Sequence, residues 1–374
     1  MEALILSCST GGGHNAAGRA VKEELERRGH HAVMLDPYSL AGKHWDRRVG
    51  NAYIRLVQES PQLFGCIYQL GDWYRQLPIH SPVYKANQLM CRIMEDYLAA
   101  HPCDVILMPH IYPGEILTNM KDRGISVPPA IYISTDYTCI PFTEEISCDY
   151  FITPSPEAGR EFMLRGIPSE KLIPAGIPVG KDFLIERTPQ EAMARLKLDP
   201  QKQYLLLMGG SIGAGEIARA LRVLSAYLDA EDRRQLIVIC GSNRKLLDEL
   251  QKQYGENKRI TLMADTDQIP LYLRACHVCI SKPGGLSSTE AAVTGTPLIH
   301  ISPIPGCEVR NMEYFSSHGM SLAVGNELEK LPSALKQLED KAVREQMRKN
   351  QRQYVPRSST DTVCSLAEQL ARSG

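Results

Sequence analysis

Short, wholly apolar runs recur along the first half of the chain, separated by stretches with helical periodicity. ALILSC (3–8) is one such run, and its unbroken hydrophobicity predicts a buried strand. The glycine-rich stretch STGGGHNAAGRA (9–20) follows. From Asn15 to Arg28, Ala17, Val21 and Leu25 fall on one helical face, and Gly29 is the stop. HAVMLD (31–36), DVILMP (104–109), AIYIST (130–135) and YFITPS (150–155) repeat the strand pattern. Apolar strands alternating with helices predict an α/β unit whose parallel sheet is covered on both faces.

The alternation stops at LIPAGIPVGKDFLIERTP (172–189), a proline-bearing stretch that reads as a linker. It then restarts with YLLLM (204–208), the turn GGSIGAG and a helix, followed by LIVICG, ITLMA, VCISKPGG and PLIHIS. Two strand–glycine–helix openings in one chain predict two similar doubly wound domains. The predicted boundaries are 1–178 and 179–350, with a final helical piece at 351–374. Residues 41–92 break the pattern. They hold Trp45 and Trp73 with five further aromatics, and seven Lys/Arg, Arg47 and Arg48 among them, against three Asp/Glu. Two readings fit: a helical insertion packing its aromatics on the first domain, or a surface for lipid headgroups, where amphipathic rings and cations are favourable.

Composition narrows the classes. With 374 residues there is room for two ordinary cores, and a net charge of −1 provides no field for nucleic acid. Eleven singly scattered cysteines and an opening run too short for a signal peptide point to a reducing, cytoplasmic setting. The CHVC pair (Cys276, Cys279) lacks a second pair at zinc spacing, and no apolar run is long enough to span a bilayer.

Glycines between a strand end and a helix start let a phosphate approach unpaired N–H groups, where the helix dipole adds positive character. Three chemistries compete for these loops. Gly11-x-Gly13-x-x-Ala16, with Asp36 ending the next strand, fits a dinucleotide fingerprint but leaves His14 and the second half without a role. GGSIG (209–213) fits a nucleophile elbow at Ser211, yet His277, His300 and His318 sit in no distinctive context for a triad. A nucleotide-sugar site accounts for more. SKPGGLSSTEAAVTGTPLI (281–299) reads as strand, glycine turn and a helix starting near Ser287. Glu290 is then expected in its first turn, able to accept hydrogen bonds from ribose hydroxyls. Backbone amides at Gly210–Gly213 and Gly284–Ser288 would meet a diphosphate.

GGGHNAAGRA, TDY (135–137), GIPV (176–179), GGSIGAG, KPGGLSSTEA and PIPGCEVRN stand in one order along the chain. In this the sequence resembles the processive diacylglycerol glycosyltransferases and monogalactosyldiacylglycerol synthases. The resemblance implies a GT-B fold of two Rossmann-like domains facing across a cleft, with the last helix crossing back to the first. It implies a UDP-hexose donor held by Gly210, Ser211, Gly213, Lys282, Gly284, Gly285, Leu286, Ser287, Glu290, Glu308 and Asn311. It implies a lipid acceptor such as diacylglycerol on the first domain, inverting transfer, no metal and no cofactor beyond the donor. The expected setting is peripheral, at an anionic membrane surface on the inner face of the cell membrane.

Inverting transfer needs a base on the acceptor hydroxyl and compensation for charge on the departing UDP. His14 follows the glycines at a carboxyl edge and titrates in the right range; it is also able to cap its helix or hold phosphate. Asp136 is the alternative base or an orienting carboxylate. Gly12, Gly13 and Asn15 belong to the same loop, and His110 in MPHIYPGE is a further polar candidate. Two departures from the family pattern stand out. Ile140 and Pro141 occupy the place of a histidine after TD, and Gly306-Cys307-Glu308 replaces PGQE, which leaves the hexose open. A UDP-sugar-modifying enzyme such as an epimerase, a peptidoglycan-precursor N-acetylglucosaminyltransferase-like enzyme and a non-catalytic binding protein are the rival readings.

Overall fold

The computed structural model describes residues 1–8, 12–42, 61–75, 79–211, 213, 215–229, 231 and 233–373. The chain divides into two compact units. One comprises Met1–Lys181, Pro305–Cys307 and Pro356–Gly374, the other Asp182–Ile304 and Glu308–Val355.

Six parallel strands form the sheet of the first unit: β1 (Glu2–Leu6), β2 (His31–Leu35), β3 (Val105–Met108), β4 (Ala130–Ile133), β5 (Tyr150–Ile152) and β6 (Leu172–Ile173). Their order is β2-β1-β3-β4-β5-β6. The pleat alternates side chains between two cores. Ala3 and Ile5 face Val21 and Leu25 of the helix Gly12–Arg27, with Val363, Cys364 and Ala367 of the helix Ser359–Ser373 in the same cluster. Leu4 and Leu6 face the opposite core, with Met94, Ile116 and Leu117.

The second sheet has six parallel strands as well: β7 (Gln203–Met208), β8 (Arg234–Ile239), β9 (Ile260–Met263), β10 (Val278–Ser281), β11 (Leu298–Ile301) and β12 (Leu322–Gly325). Their order is β12-β11-β10-β7-β8-β9. A core cluster of this unit joins Leu205, Leu207, Leu236, Val238 and Ile280 to Ile217, Leu221 and Leu224 of the helix Ile217–Leu228.

All ten apolar runs read as strands are strands. β6 and β12 carry no comparable run and were not foreseen; β6 has only two residues, set inside the proline-bearing stretch. Helix starts differ more. The first helix begins at Gly12 rather than Asn15, so Gly12, Gly13 and His14 form its first turn. The helix after β10 begins at Gly285 rather than Ser287, which moves Glu290 out of the first turn into the second.

The carboxyl-terminal helix is integral to the first unit. Val363 and Cys364 are fully buried, Thr360 Oγ1 donates to the Val179 carbonyl at 2.9 Å, and Arg28 reaches Asp361 at 2.8 Å. The preceding helix Lys341–Tyr354 stays with the second unit. Buried Gln351 donates there to the carbonyls of Thr296 (2.9 Å) and Met320 (3.1 Å). Val363→Asp places a carboxylate with no partner in an apolar cluster. It should destabilise the first unit by about 3 kcal/mol or more. Thermal denaturation is expected to show the first unit's transition shifted down while the second unit's stays in place; an unmoved melting curve refutes the packing role of this helix.

Candidate active site

Each sheet reverses its strand order once. In the first, β1 leads to β2 on one side while β3 lies on the other; in the second, β7 stands in the same relation to β8 and β10. At such a reversal the crossovers diverge and leave a crevice at the carboxyl ends, where ligands of doubly wound sheets bind.

His14 stands at the first reversal. Its Nδ1 lies 2.8 Å from the carbonyl oxygen of Pro109, directly after β3, and 2.8 Å from Thr135 Oγ1 after β4. A carbonyl only accepts, so the Nδ1 proton is directed there and the neutral ring carries its lone pair on Nε2. Burial lowers the His14 pKa below the usual 6.5, while the Asp136 carboxylate and the Pro109 carbonyl oppose the shift. Asp136 is half-buried in the loop after β4, and its carbonyl accepts from Ser134 Oγ at 3.0 Å.

His110 packs edge-on against His14, with ring centroids 4.6 Å apart at 74°. It is buried and caps the helix Ile111–Asp122, its Nδ1 accepting from the Tyr112 amide at 3.1 Å, so its own proton sits on Nε2. Burial holds its pKa well below 6.5, and proximity to His14 lowers it further. Asn15 is tied down through Oδ1, which accepts from Ser7 Oγ at 2.6 Å.

Several contributors were not foreseen. Glu115 is fully buried; its Oε2 accepts from Asn87 Nδ2 at 2.6 Å, and Asn87 Oδ1 accepts from Tyr38 at 2.6 Å. Burial pushes its carboxyl up to about 8, so the group is mostly neutral at pH 7. The loop TDYTCIPF is clamped: Glu161 Oε2 accepts from Thr138 Oγ1 (2.7 Å) and the Cys139 amide (3.0 Å), and Arg75 grips Glu144 through two 2.6 Å contacts. Within it Phe142 adopts φ +70°, a left-handed conformation rare for an aromatic residue. A lone Glu in the apolar stretch IYPGEILTNM was the one available sign of Glu115; nothing in the sequence signals the backbone of Phe142.

At the second reversal the turn after β7 meets the turn after β10. A Cβ on Gly210 (φ +67°) would lie 2.9 Å from Lys282 Cε. Gly213 (φ +57°) and Gly241 (φ +58°) are needed where backbone meets backbone: a Cβ on the first would lie 2.1 Å from the Cys240 carbonyl oxygen, and one on the second 2.5 Å from that of Gly210. The Ser211 carbonyl accepts from the Ser242 amide at 2.8 Å, and Asn243 Nδ2 donates to the Gly213 carbonyl at 3.1 Å. The helix after this turn starts only at Ile217, so the amides of Gly210, Ser211 and Gly213 are turn amides rather than first-turn helix amides.

Gly284 is the N-cap of the helix Gly285–Thr294, without a side-chain cap. The Ser288 amide donates to the Gly284 carbonyl at 3.0 Å, so the amides of Gly285, Leu286 and Ser287 precede the first intrahelical bond, and their dipoles favour an anion. Eight of the ten residues of this helix are buried. The two that are not, Ser287 and Glu290, lie three apart on one face. Lys282 forms an ion pair with Glu308, whose Oε2 accepts from the Ile304 amide at 2.9 Å. Glu308 is itself buried. Asn311, expected to contact the sugar, is fully buried, and its Nδ2 donates to the Pro283 carbonyl at 3.0 Å, bracing the glycine turn from beneath.

Trp45, Arg47 and Arg48 lie outside the described residues. Trp73 and Leu70 of the helix Pro61–Tyr74 are 57% and 59% exposed, and Leu89 is 82% exposed. No helix among the described residues is long and apolar enough to cross a membrane, and none of their His, Cys, Asp or Glu side chains cluster as a metal site.

The two α/β units, each with glycine turns at a strand-order reversal, are those of a GT-B fold. Acinetobacter baumannii MurG has it (TM-score 0.63, 15% identity, 98% of this chain and 99% of that one), as does Neisseria meningitidis UDP-GlcNAc 2-epimerase bound to UDP-GlcNAc (TM-score 0.65, 14% identity, 99% and 100%). At these identities the likeness establishes the fold alone. Residues 14–179 match the monogalactosyldiacylglycerol synthase family and residues 204–366 the glycosyltransferase family 28 C-terminal domain. The chain belongs to this family of diacylglycerol glycosyltransferases and monogalactosyldiacylglycerol synthases. It is 23% identical over 350 residues to the processive diacylglycerol beta-glucosyltransferase of Bacillus subtilis, across 93% of this chain and 89% of that protein.

Gly213→Ala tests the second cluster. The added Cβ collides with backbone at a left-handed position, which should cost about 2–4 kcal/mol. Calorimetry is expected to show a lower melting temperature and weakened UDP binding. An unchanged variant would mean that the turn relaxes freely and does not position ligand.

Proposed function

We propose that the protein transfers a hexose from a UDP-sugar to diacylglycerol or a related lipid hydroxyl at a membrane surface, with inversion at the anomeric carbon. The observation carrying this reading is the state of His14: Nδ1 is occupied by the Pro109 carbonyl, the pKa is lowered, and Nε2 is left as the basic atom. A neutral imidazole fixed in this way is suited to accept a proton from an acceptor hydroxyl as the hydroxyl attacks. Asp136 would stabilise the imidazolium that forms, as the orienting carboxylate does in a hydrolase triad.

In the second unit, the Gly285–Ser287 amides and Lys282 would take up charge on the departing diphosphate, with Glu290 beside the ribose. Lys282 is paired with Glu308 in this structure, so donor binding would re-partition that lysine between carboxylate and phosphate. Inversion follows from a single displacement, with the base on the acceptor side and anion stabilisation on the donor side. The exposed Trp73, Leu70 and Leu89 support a lipid-facing role for the region 41–92, and that surface would bring the protein to the inner face of the cell membrane from the cytoplasm. Its relatives include both a glucosyltransferase and a monogalactosyldiacylglycerol synthase, so the hexose is assigned by assay.

Incubation with a panel of UDP-hexoses and mixed lipids, read by mass, should yield a hexosyl-diacylglycerol of inverted configuration. Release of an altered sugar nucleotide with no lipid product would favour the epimerase reading. His14→Ala should reduce transfer by about 10²–10⁴-fold with UDP binding retained; undiminished turnover removes His14 as base.

The pH profile gives an independent check. Transfer needs neutral His14, so kcat/KM falls as pH falls through its pKa, and the acid limb is expected below 6.5, the ordinary imidazole value. Asp136 favours the protonated ring. Asp136→Asn should therefore move the limb to lower pH while also lowering kcat. A limb that stays put or rises contradicts the pairing.

A further inference from the structure

The amino edge of the second sheet, opposite the edge that carries the glycine turns, holds a concavity of about 830 Å³. Gln203 opens β7, and His277 and Pro297 stand immediately before β10 and β11, which fixes this edge as the one remote from the proposed donor turns. The helix Lys341–Tyr354 lines one wall with Lys341, Arg344, Arg348 and Arg352. Their spacing of three, four and four residues puts all four on one face, where like charges repel. Arg187, Lys202, Arg233 and Arg274 complete the lining.

Backbone carbonyls hold several of these cations in place. Arg344 donates to the carbonyls of Leu338 (2.5 Å) and Glu339 (2.8 Å), Arg348 Nε to that of Gly295 (2.9 Å), and Arg274 to that of Phe183 (3.0 Å). Glu345 pairs with Arg348 at 2.7 Å, Glu231 with Arg233 at 3.4 Å and Glu186 with Arg274 at 3.6 Å. Arg187, Lys341 and Arg352 form no ion pair among the described residues. The concavity thus holds a clear excess of positive charge in a chain whose net charge is −1. The same field acts on His277, whose pKa is lowered by burial and then by Arg344 and Arg348.

We propose that this concavity is a second ligand site, separate from the glycine turns, that binds a phosphate-bearing anion: a free phosphorylated molecule or the headgroup of an anionic phospholipid. Guanidinium groups held by backbone carbonyls keep further N–H donors, in the planar fork that matches phosphate oxygens. A monocarboxylate would leave most of the excess charge uncompensated, whereas a group of two or more negative charges relieves the repulsion along the helix face. The assignment is independent of the proposed transfer reaction.

The test uses the full chain saturated with UDP, so that the donor turns do not compete for the probe. Inorganic pyrophosphate is titrated by calorimetry into the parent protein and into the triple variant Arg187→Gln, Lys341→Gln, Arg352→Gln. These three side chains have no ion partner to lose, and an unchanged melting temperature verifies the fold. In parallel, both proteins are sedimented with vesicles of phosphatidylcholine alone or with about 30 mol % phosphatidylglycerol. Saturable pyrophosphate binding, weakened about tenfold or more in the variant and by added salt, supports the site with a free phosphate as its ligand. Loss confined to the phosphatidylglycerol vesicles supports the site with a lipid headgroup. If neither probe binds, or both bind the variant as well as the parent, the concavity is a solvated basic face and the proposal fails.

Discussion

The structure depends on one topological constraint, the reversal of strand order beside the first strand of each sheet. Parallel strands need crossovers, and crossovers that leave a common strand in opposite directions cannot both cover its carboxyl end. The backbone emerging there faces an opening by geometry alone. In the first unit that end leads into Gly12–His14, with Pro109 beside it from β3. In the second it leads into Gly209 and Gly210, with Lys282–Gly285 beside it from β10. In each cluster a short contact joins a turn after the first strand to a turn from across the reversal: His14 to Pro109 in one, Gly210 to Lys282 in the other.

On the proposed reading, the same constraint assigns two electrostatic tasks to two sheets. A general base needs a neutral, partly desolvated imidazole, and burial lowers the pKa of both His14 and His110. Anion stabilisation needs the opposite: unpaired N–H groups and a cation. A diphosphate near an imidazole raises its pKa, and a lysine near it lowers it. Building the two clusters on separate sheets lets each environment be set by its own neighbours. Lys282 illustrates the second setting. It is held by Glu308, itself fixed by the Ile304 amide, so its charge is oriented before any phosphate arrives.

What was legible in the sequence follows from which physics is local. A strand buried on both faces must be apolar throughout, so ALILSC or YLLLM announces itself without its partners. β6 and β12 escaped because a two-residue strand in a proline-bearing stretch, or one half exposed at a sheet edge, has no such signature. Helix starts at Gly12 and Gly285 escaped for a different reason. Glycine is a poor helix former, and only the chain's commitment to the turn before it puts the first helical residue there. Residue identity marked His14, Lys282 and Glu290, but solvent access did not follow from identity. Asn311, expected among the donor-binding residues, lies beneath the turn, since burial depends on what the helix Cys307–Ser317 packs against.

The glycines of the second cluster show how a motif can answer to more than one physical demand. Read alone, GGSIGAG invites the argument that a phosphate needs room at the backbone. Gly213 and Gly241 are required even with no phosphate nearby, because the turn after β7 and the turn after β8 share space that no Cβ can enter. The two demands are compatible. Packing the turns backbone to backbone fixes their peptide planes, which is what a preorganised amide cradle requires. A cradle assembled only when the ligand arrived would lose part of its binding energy to ordering flexible glycines. Here the neighbouring turn supplies that ordering in advance, so glycine provides the conformation and its packing partner removes the entropy.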